Sequence, residues 1–164
     1  MNVSDILSFM EEYGVIILFI LMFTECLNIP GYPGGFAAIA AGIAVKFNIM
    51  NFFVAFIISM SASVLSMNLV YYISFIFHEP IKKYFNKTEK KIKIYNKAID
   101  IIKKHGVKGL FIARLIPVLR TFISIPAGLL SMNFINYLIF TILGTSLYII
   151  LNIGAGYFFT SFFI

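Results

Sequence analysis

Three ionisable side chains lie inside apolar stretches of the sequence, and each of them stands beside a proline break. Glu25 precedes the segment 28–35, which holds two prolines and three glycines, and Arg114 and Arg120 flank Pro117. A charge at the centre of a bilayer costs about 2.5–3.5 kcal/mol unless it is solvated or paired. We therefore expect these three residues to form one polar site, with Glu25 close enough to pair with an arginine.

The residue types indicate what such a site would bind. Arginine grips two phosphate oxygens at once through its planar guanidinium group, so Arg114 and Arg120, on the two arms of a bend at Pro117, are predicted to bind a lipid phosphate. A carboxyl group that has lost its water can take up a proton near neutral pH. Glu25 is therefore a candidate for proton coupling as well as for substrate binding. A salt bridge that only stabilises the fold is the alternative.

The composition indicates a membrane protein. Hydrophobic residues make up 60% of the chain and charged residues 12%, with a mean hydropathy of +0.95, whereas soluble domains have about 25% charged residues. Ten of the 13 lysines and arginines lie between Lys82 and Lys108. A single basic block between apolar segments is typical of a cytoplasmic loop, so we place 78–108 on that side. Without a recognition motif, the same block does not indicate nucleic-acid binding.

Two uncharged segments, Phe52–Phe77 and Phe134–Phe163, exceed the roughly 20 residues that a helix needs to cross a bilayer. Val15–Thr24 and Phe36–Val45 are too short to cross alone. This pair is predicted to form either one broken span or a re-entrant hairpin, which survives at membrane depth only where protein or a cavity shields it.

Prolines and glycines interrupt the shorter apolar segments and are predicted to break their helices next to the site. These residues are Pro30, Pro33, Gly34, Gly35, Pro117, Pro126 and Gly128. Glycines in the last long segment have a different role, because a missing side chain lets two helices approach closely. We expect this of Gly144, Gly154 and Gly156.

Residues 78–104 are predicted to form an amphipathic connector. Apolar side chains recur at spacings of three, four or seven from Ile81 to Ile102, and lysines fill the positions between them. This pattern is typical of a helix that lies on a membrane surface. A solvated linker helix is the alternative.

The two halves of the chain share an order of features that indicates an internal repeat. Residues 13–20 match residues 105–112 at five of eight positions, and both are followed by a broken apolar segment, an Ala-Gly pair and Met-Asn-Phe. We predict an all-α, polytopic membrane protein with two inverted repeats, at about 13–77 and 105–162. Each repeat would be a re-entrant broken-helix hairpin plus a transmembrane helix. The connector, 78–104, would join them in one domain that takes in the whole chain.

The sequence resembles the DedA family, also called the SNARE-associated or VTT-domain membrane proteins. Residues 111–128 carry most of the resemblance, because their Phe-x-x-Arg-x-x-Pro-x-x-Arg-Thr…Ala-Gly pattern is similar to the family's signature in order and spacing. Glu25 followed by Pro33-Gly34 is similar to an acidic and Pro-Gly element of the family, and 154–157 is similar to its Gly-Tyr element. The resemblance covers about 13–157.

The resemblance implies a transporter in the bacterial cytoplasmic membrane. Family members look like flippases or scramblases that move undecaprenyl phosphate or phospholipids between leaflets, and proton-motive force is associated with some of them. The expected partners are membrane lipids with phosphate head groups, with protons and a second copy of the chain as further candidates. No enzymatic activity and no cofactor are expected. No metal site is expected either, because Cys26, His78 and His105 lack the spacing of ligands.

Three departures from the family pattern concern the mechanism. Gly35 stands where the family often has a second acid, Met67-Asn68 stands where it usually has Gly-Asp, and a further C-terminal span is expected of many members but is not found before Ile164. Two other functions stay open, a proton-coupled small-solute transporter and a non-transport assembly or scaffold protein. A lipid phosphatase is disfavoured because the apolar segments offer no nucleophile–base set.

Overall fold

The structure, a computed structural model, describes residues 3–27, 35–85 and 89–163, and in these ranges it contains helices and turns but no strand. The helices are α1 Val3–Cys26, α2 Phe36–Lys46, α3 Phe52–Ile76, α4 His78–Phe85, α5 Glu89–His105, α6 Lys108–Leu115, α7 Pro117–Phe122, α8 Ser124–Leu129 and α9 Phe134–Phe163. The prediction of an all-α protein is confirmed for this part of the chain.

Helices α3 and α9 are long and apolar enough to cross a membrane. Their most apolar stretches have mean hydropathies of 2.0 and 1.9, and only 39% and 33% of the residues in them are buried. In water such exposed apolar side chains would be strongly unfavourable, whereas lipid is a suitable solvent for them. Both helices coincide with the two predicted spans to within one residue at each end.

The described residues form two compact units. The first unit comprises Met1–Ser63 and Leu147–Ile164. In it α1 packs against α2, and the core includes Met22 and Ala38 from these helices and Ile153 from α9. Helices α2 and α9 approach closely, since a methyl group at Gly42 would collide with the carbonyl group of Ile153.

The glycines of α9 in this unit give a stability prediction with a built-in control. A methyl group at Gly156 would collide with the carbonyl oxygen of Ile39, whereas one at Gly154 would meet no atom of the described residues within 4 Å. Close approach was thus predicted correctly for Gly156 and wrongly for Gly154. We expect Gly156→Ala to cost about 1–3 kcal/mol through overpacking and Gly154→Ala to cost little. Thermal unfolding in detergent measures both, and equal melting temperatures would contradict the packing described here.

The second unit comprises Val64–Ser146. Helix α5 packs against α6, α7 and α8, and its Ala98 and Ile102 are buried in a cluster with Leu110, Ile123 and other apolar residues. The predicted amphipathic connector is therefore two helices, α4 and α5, with residues 86–88 outside the described ranges. The apolar face of α5 is covered at Ala98 and Ile102 by protein, so it cannot lie there on lipid as predicted.

The broken apolar segment of this unit folds as α6, α7 and α8. Ile116 adopts an extended conformation, with φ −93° and ψ 117°, and Pro117 is the first residue of α7. A residue before proline avoids the helical region, and proline suits the first helical position because its missing N–H would have no partner there. The helix therefore breaks where Pro117 predicts. Pro126 and Gly128 lie inside α8 instead of at a break.

Candidate functional site

Arg114 lies in the last turn of α6 and is a fully buried side chain of the second unit. Its Nη1 donates to the Met67 sulfur at 3.0 Å and to the backbone carbonyl oxygen of Arg120. Its Nη2 faces three hydroxyl oxygens, at 3.0 Å from Ser124, 3.2 Å from Tyr137 and 3.0 Å from Thr141. We call the set of Met67, Ser124, Tyr137 and Thr141 the Arg114 cage.

Tyr137 is the most highly connected member of the Arg114 cage. Besides accepting from Arg114, its hydroxyl group lies 2.9 Å from the Met67 carbonyl oxygen and 2.9 Å from the Ser124 hydroxyl. Its ring stacks on that of Tyr71, with centroids 4.4 Å apart. Tyr71 in turn donates to the carbonyl oxygen of Met132. The cage thus ties α6 to α3, α8 and α9 within the second unit.

Arg114 can approach α9 because Gly144 leaves room for it. A Cβ atom at Gly144 would lie 2.6 Å from Arg114 Cβ, closer than real side chains come. Tyr137, Thr141 and Gly144 follow one another at spacings of four and three, so they share one face of α9. That spacing is the sequence signal for the α9 part of the cage, whereas cost and size alone indicate only the charged residues and the glycine.

Arg120 lies in α7 and is 2% exposed. Because its carbonyl oxygen accepts from Arg114, the structure does bring the two arginines together, through a guanidinium-to-backbone contact across the break at Pro117. The charge of Arg114 therefore fixes the backbone that carries Arg120.

Glu25, at the end of α1 in the first unit, is 5% exposed and holds the start of α2. Its Oε1 accepts from the backbone N–H of Gly35 at 2.8 Å, and its Oε2 accepts from that of Ala37 at 3.3 Å. The first N–H groups of a helix lack partners within the helix, and its positive end attracts a carboxylate. Glu25 thus caps α2 from a distance in sequence. An ion pair between Glu25 and either arginine stays a prediction.

Gly35 was predicted as a helix break, and it precedes α2 with a φ of 98°, in the left-handed region. Its Cα stands so close to the Tyr148 hydroxyl that a Cβ atom would lie 3.0 Å from it. A side chain would be strained there, so glycine suits this position. The family pattern given above would instead predict an acid. Pro30, Pro33 and Gly34 lie outside the described residues.

Both buried arginines lie in a part of the chain that matches a known protein family. The VTT domain family matches residues 29–158, a range that includes Arg114 and Arg120 and begins four residues after Glu25. The chain belongs to the DedA family of VTT-domain proteins. The resemblance to this family seen in the sequence is confirmed.

Two curated proteins are similar to the chain over most of its length. The chain is 32% identical over 148 residues to undecaprenyl phosphate transporter A of Staphylococcus aureus, with 87% of this chain and 72% of the relative covered. It is 30% identical over 158 residues to Protein DedA of Escherichia coli K12, with 90% of this chain and 71% of the relative covered. No solved structure matches the DedA-family chain significantly.

Proposed function

We propose that this protein is a membrane transporter that moves a lipid phosphate, such as undecaprenyl phosphate or a phospholipid, between the two leaflets. The observation that carries the proposal is Arg114, a fully buried cation held by three hydroxyl groups beside a broken helix. A buried cation in an apolar protein is costly and marks a functional site. The name of the Staphylococcus aureus relative supports a lipid phosphate as the substrate.

The two arginines have different parts in this proposal. Arg114 already has acceptors for both terminal nitrogens, so a phosphate that reaches it must replace a hydroxyl group of the Arg114 cage. Arg120 is the first phosphate ligand, and Arg114 positions it by holding its carbonyl group. Bidentate contact with phosphate oxygens would then compensate the hydroxyl contacts that are lost.

Glu25 is proposed to couple transport to protons. Protonation would remove the negative charge and turn one carboxylate oxygen into a hydroxyl oxygen, which accepts more weakly from a backbone N–H. The contacts to Gly35 and to Ala37 would then be weaker. Proton uptake at Glu25 would in this way loosen the start of α2.

Two inverted repeats, each with a re-entrant hairpin, are proposed as the architecture. The Ala-Gly helix of the first repeat approaches α9 at Gly42, and that of the second approaches α3, where a Cβ atom at Gly128 would collide with the Tyr71 carbonyl oxygen. Each Ala-Gly helix therefore packs on the long helix of the other repeat, as expected if the repeats are equivalent. We place the protein in a bacterial cytoplasmic membrane with the basic segment 78–108 on the cytoplasmic side.

The experiment that tests the proposed function is transbilayer movement of a labelled lipid phosphate in proteoliposomes. A solute transporter would release a trapped water-soluble phosphate but leave the lipid in its leaflet. A scaffold would move neither, and would tolerate replacement of Arg114 and Arg120 by neutral residues.

A further inference from the structure

A groove with a volume of about 450 Å³ runs along the face of α5 that points away from the core of the second unit. This volume lies within the range of small-ligand pockets, about 300–1,000 Å³. Its polar lining consists of Lys93, Asn96, Lys97, Asp100, Lys104 and His105. All of these residues are exposed. We call this feature the α5 groove.

The charges of the α5 groove favour an anion. Three lysines and one aspartate give a net charge of +2. Lys93 and Lys97 are four residues apart, so their ammonium groups are neighbours on the helix surface. Ammonium groups bind phosphate as point charges, and Asn96 and Asp100 can bond to the hydroxyl groups of a phosphate ester.

The position of the α5 groove favours a lipid as the source of that phosphate. The opposite face of α5, at Ala98 and Ile102, is buried against α6, α7 and α8. Lys104 and His105, at one end of the groove, stand four or five residues before Gly109, where the chain enters an apolar segment. The chain turns at Gly106 and Val107 and then enters that segment, so this end of the groove adjoins the apolar part of the chain.

We propose that the α5 groove binds the phosphodiester head group of an anionic phospholipid. This site is distinct from the Arg114 cage and does not depend on transport. Its occupant holds α5 at the head-group level and thereby the helices α6, α7 and α8 on which α5 packs.

Native mass spectrometry of the detergent-solubilised protein, titrated with phosphatidylglycerol, tests the proposal. We expect Lys93→Glu with Lys97→Glu to weaken binding about tenfold or more, since two ammonium groups that would contact the phosphate become carboxylates that repel it. The matched control reverses Lys103 and Lys108, two exposed lysines that do not line the groove, and should change binding less than about twofold. Lys93→Gln with Lys97→Gln, which removes the charges without reversing them, should also weaken binding, but by less than the double Glu variant.

Equal losses in the two charge-reversal pairs would overturn the α5 groove and leave only a general attraction of basic protein to anionic lipid. Equal binding of phosphatidylcholine would exclude the selectivity for anionic head groups. Glycerophosphoglycerol, the free head group, should compete weakly because it lacks the acyl chains. If it binds as tightly as the lipid, the ligand is a soluble phosphate ester and the assignment to lipid is wrong.

Discussion

Replacing Arg114 by lysine is expected to reduce lipid transport about 100-fold or more, nearly as much as replacing it by alanine. Lysine keeps the charge but offers three donors at one point, whereas the guanidinium group reaches acceptors on two sides. At least two of the five acceptors around Arg114 would lose their partner. Each orphaned buried group costs about 1–3 kcal/mol, and about 1.4 kcal/mol is a factor of ten in rate.

The control for this prediction separates a positioning role from loss of the fold. Tyr137→Phe keeps the ring stacked on Tyr71 but removes one acceptor of Arg114 and the hydroxyl contacts to Met67 and Ser124, so we expect transport to fall about tenfold. Tyr72→Phe changes a neighbouring exposed tyrosine and should have no effect. Every variant is compared at equal amounts of monodisperse protein. Full transport by Arg114→Lys combined with Arg120→Lys would mean that charge alone matters.

Replacing Glu25 by glutamine is expected to lower both the stability of the protein and its response to protons. Glutamine keeps one oxygen acceptor, but its amide group would face the second backbone N–H at the start of α2. Loss of a helix cap and of the favourable charge at a helix start costs about 1–2 kcal/mol, which corresponds to about 2–8 °C in melting temperature. Transport should fall at least about tenfold and lose any stimulation by an imposed pH gradient.

Glu12 provides the matched control, because it lies on the same helix but is exposed. Glu12→Gln should leave the melting temperature and the gradient response unchanged. If Glu25→Gln melts like the wild type, Glu25 does not cap α2 in the membrane. If it is less stable but keeps the same stimulation by a pH gradient, Glu25 is a cap only and the proton is carried elsewhere.

The charged residues of the site could be predicted from sequence. A charge in an apolar segment costs free energy, so it is rare there and indicates a function. The neutral members of the Arg114 cage could not be identified in that way. Met67, Ser124, Tyr137 and Thr141 come from three separate stretches of the chain, and a hydroxyl group in a membrane helix often bonds only to its own helix. The role of Glu25 as the cap of α2 could not be predicted from sequence. The contact joins residues ten positions apart, and no helical periodicity predicts that pairing.

Helix boundaries could be predicted where their cause is local in the sequence, and could not be predicted where tertiary packing decides them. Hydropathy alone located α3 and α9, since length and the absence of charge suffice for a span. Pro117 located a break because it restricts its own neighbour. Pro126 does not mark a break. It lies in the first turn of α8, where its missing N–H removes no helical hydrogen bond. The period of the connector showed that one face is apolar, but not that α6, α7 and α8 cover it.

The most direct test of the account is transbilayer movement of labelled undecaprenyl phosphate in proteoliposomes, measured beside undecaprenol and trapped inorganic phosphate. We expect the wild-type protein to move the lipid phosphate, to leave undecaprenol and the trapped phosphate where they are, and to lose this activity in Arg120→Ala. Movement of undecaprenol at the same rate, or full activity of Arg120→Ala, would contradict recognition of the lipid through its phosphate.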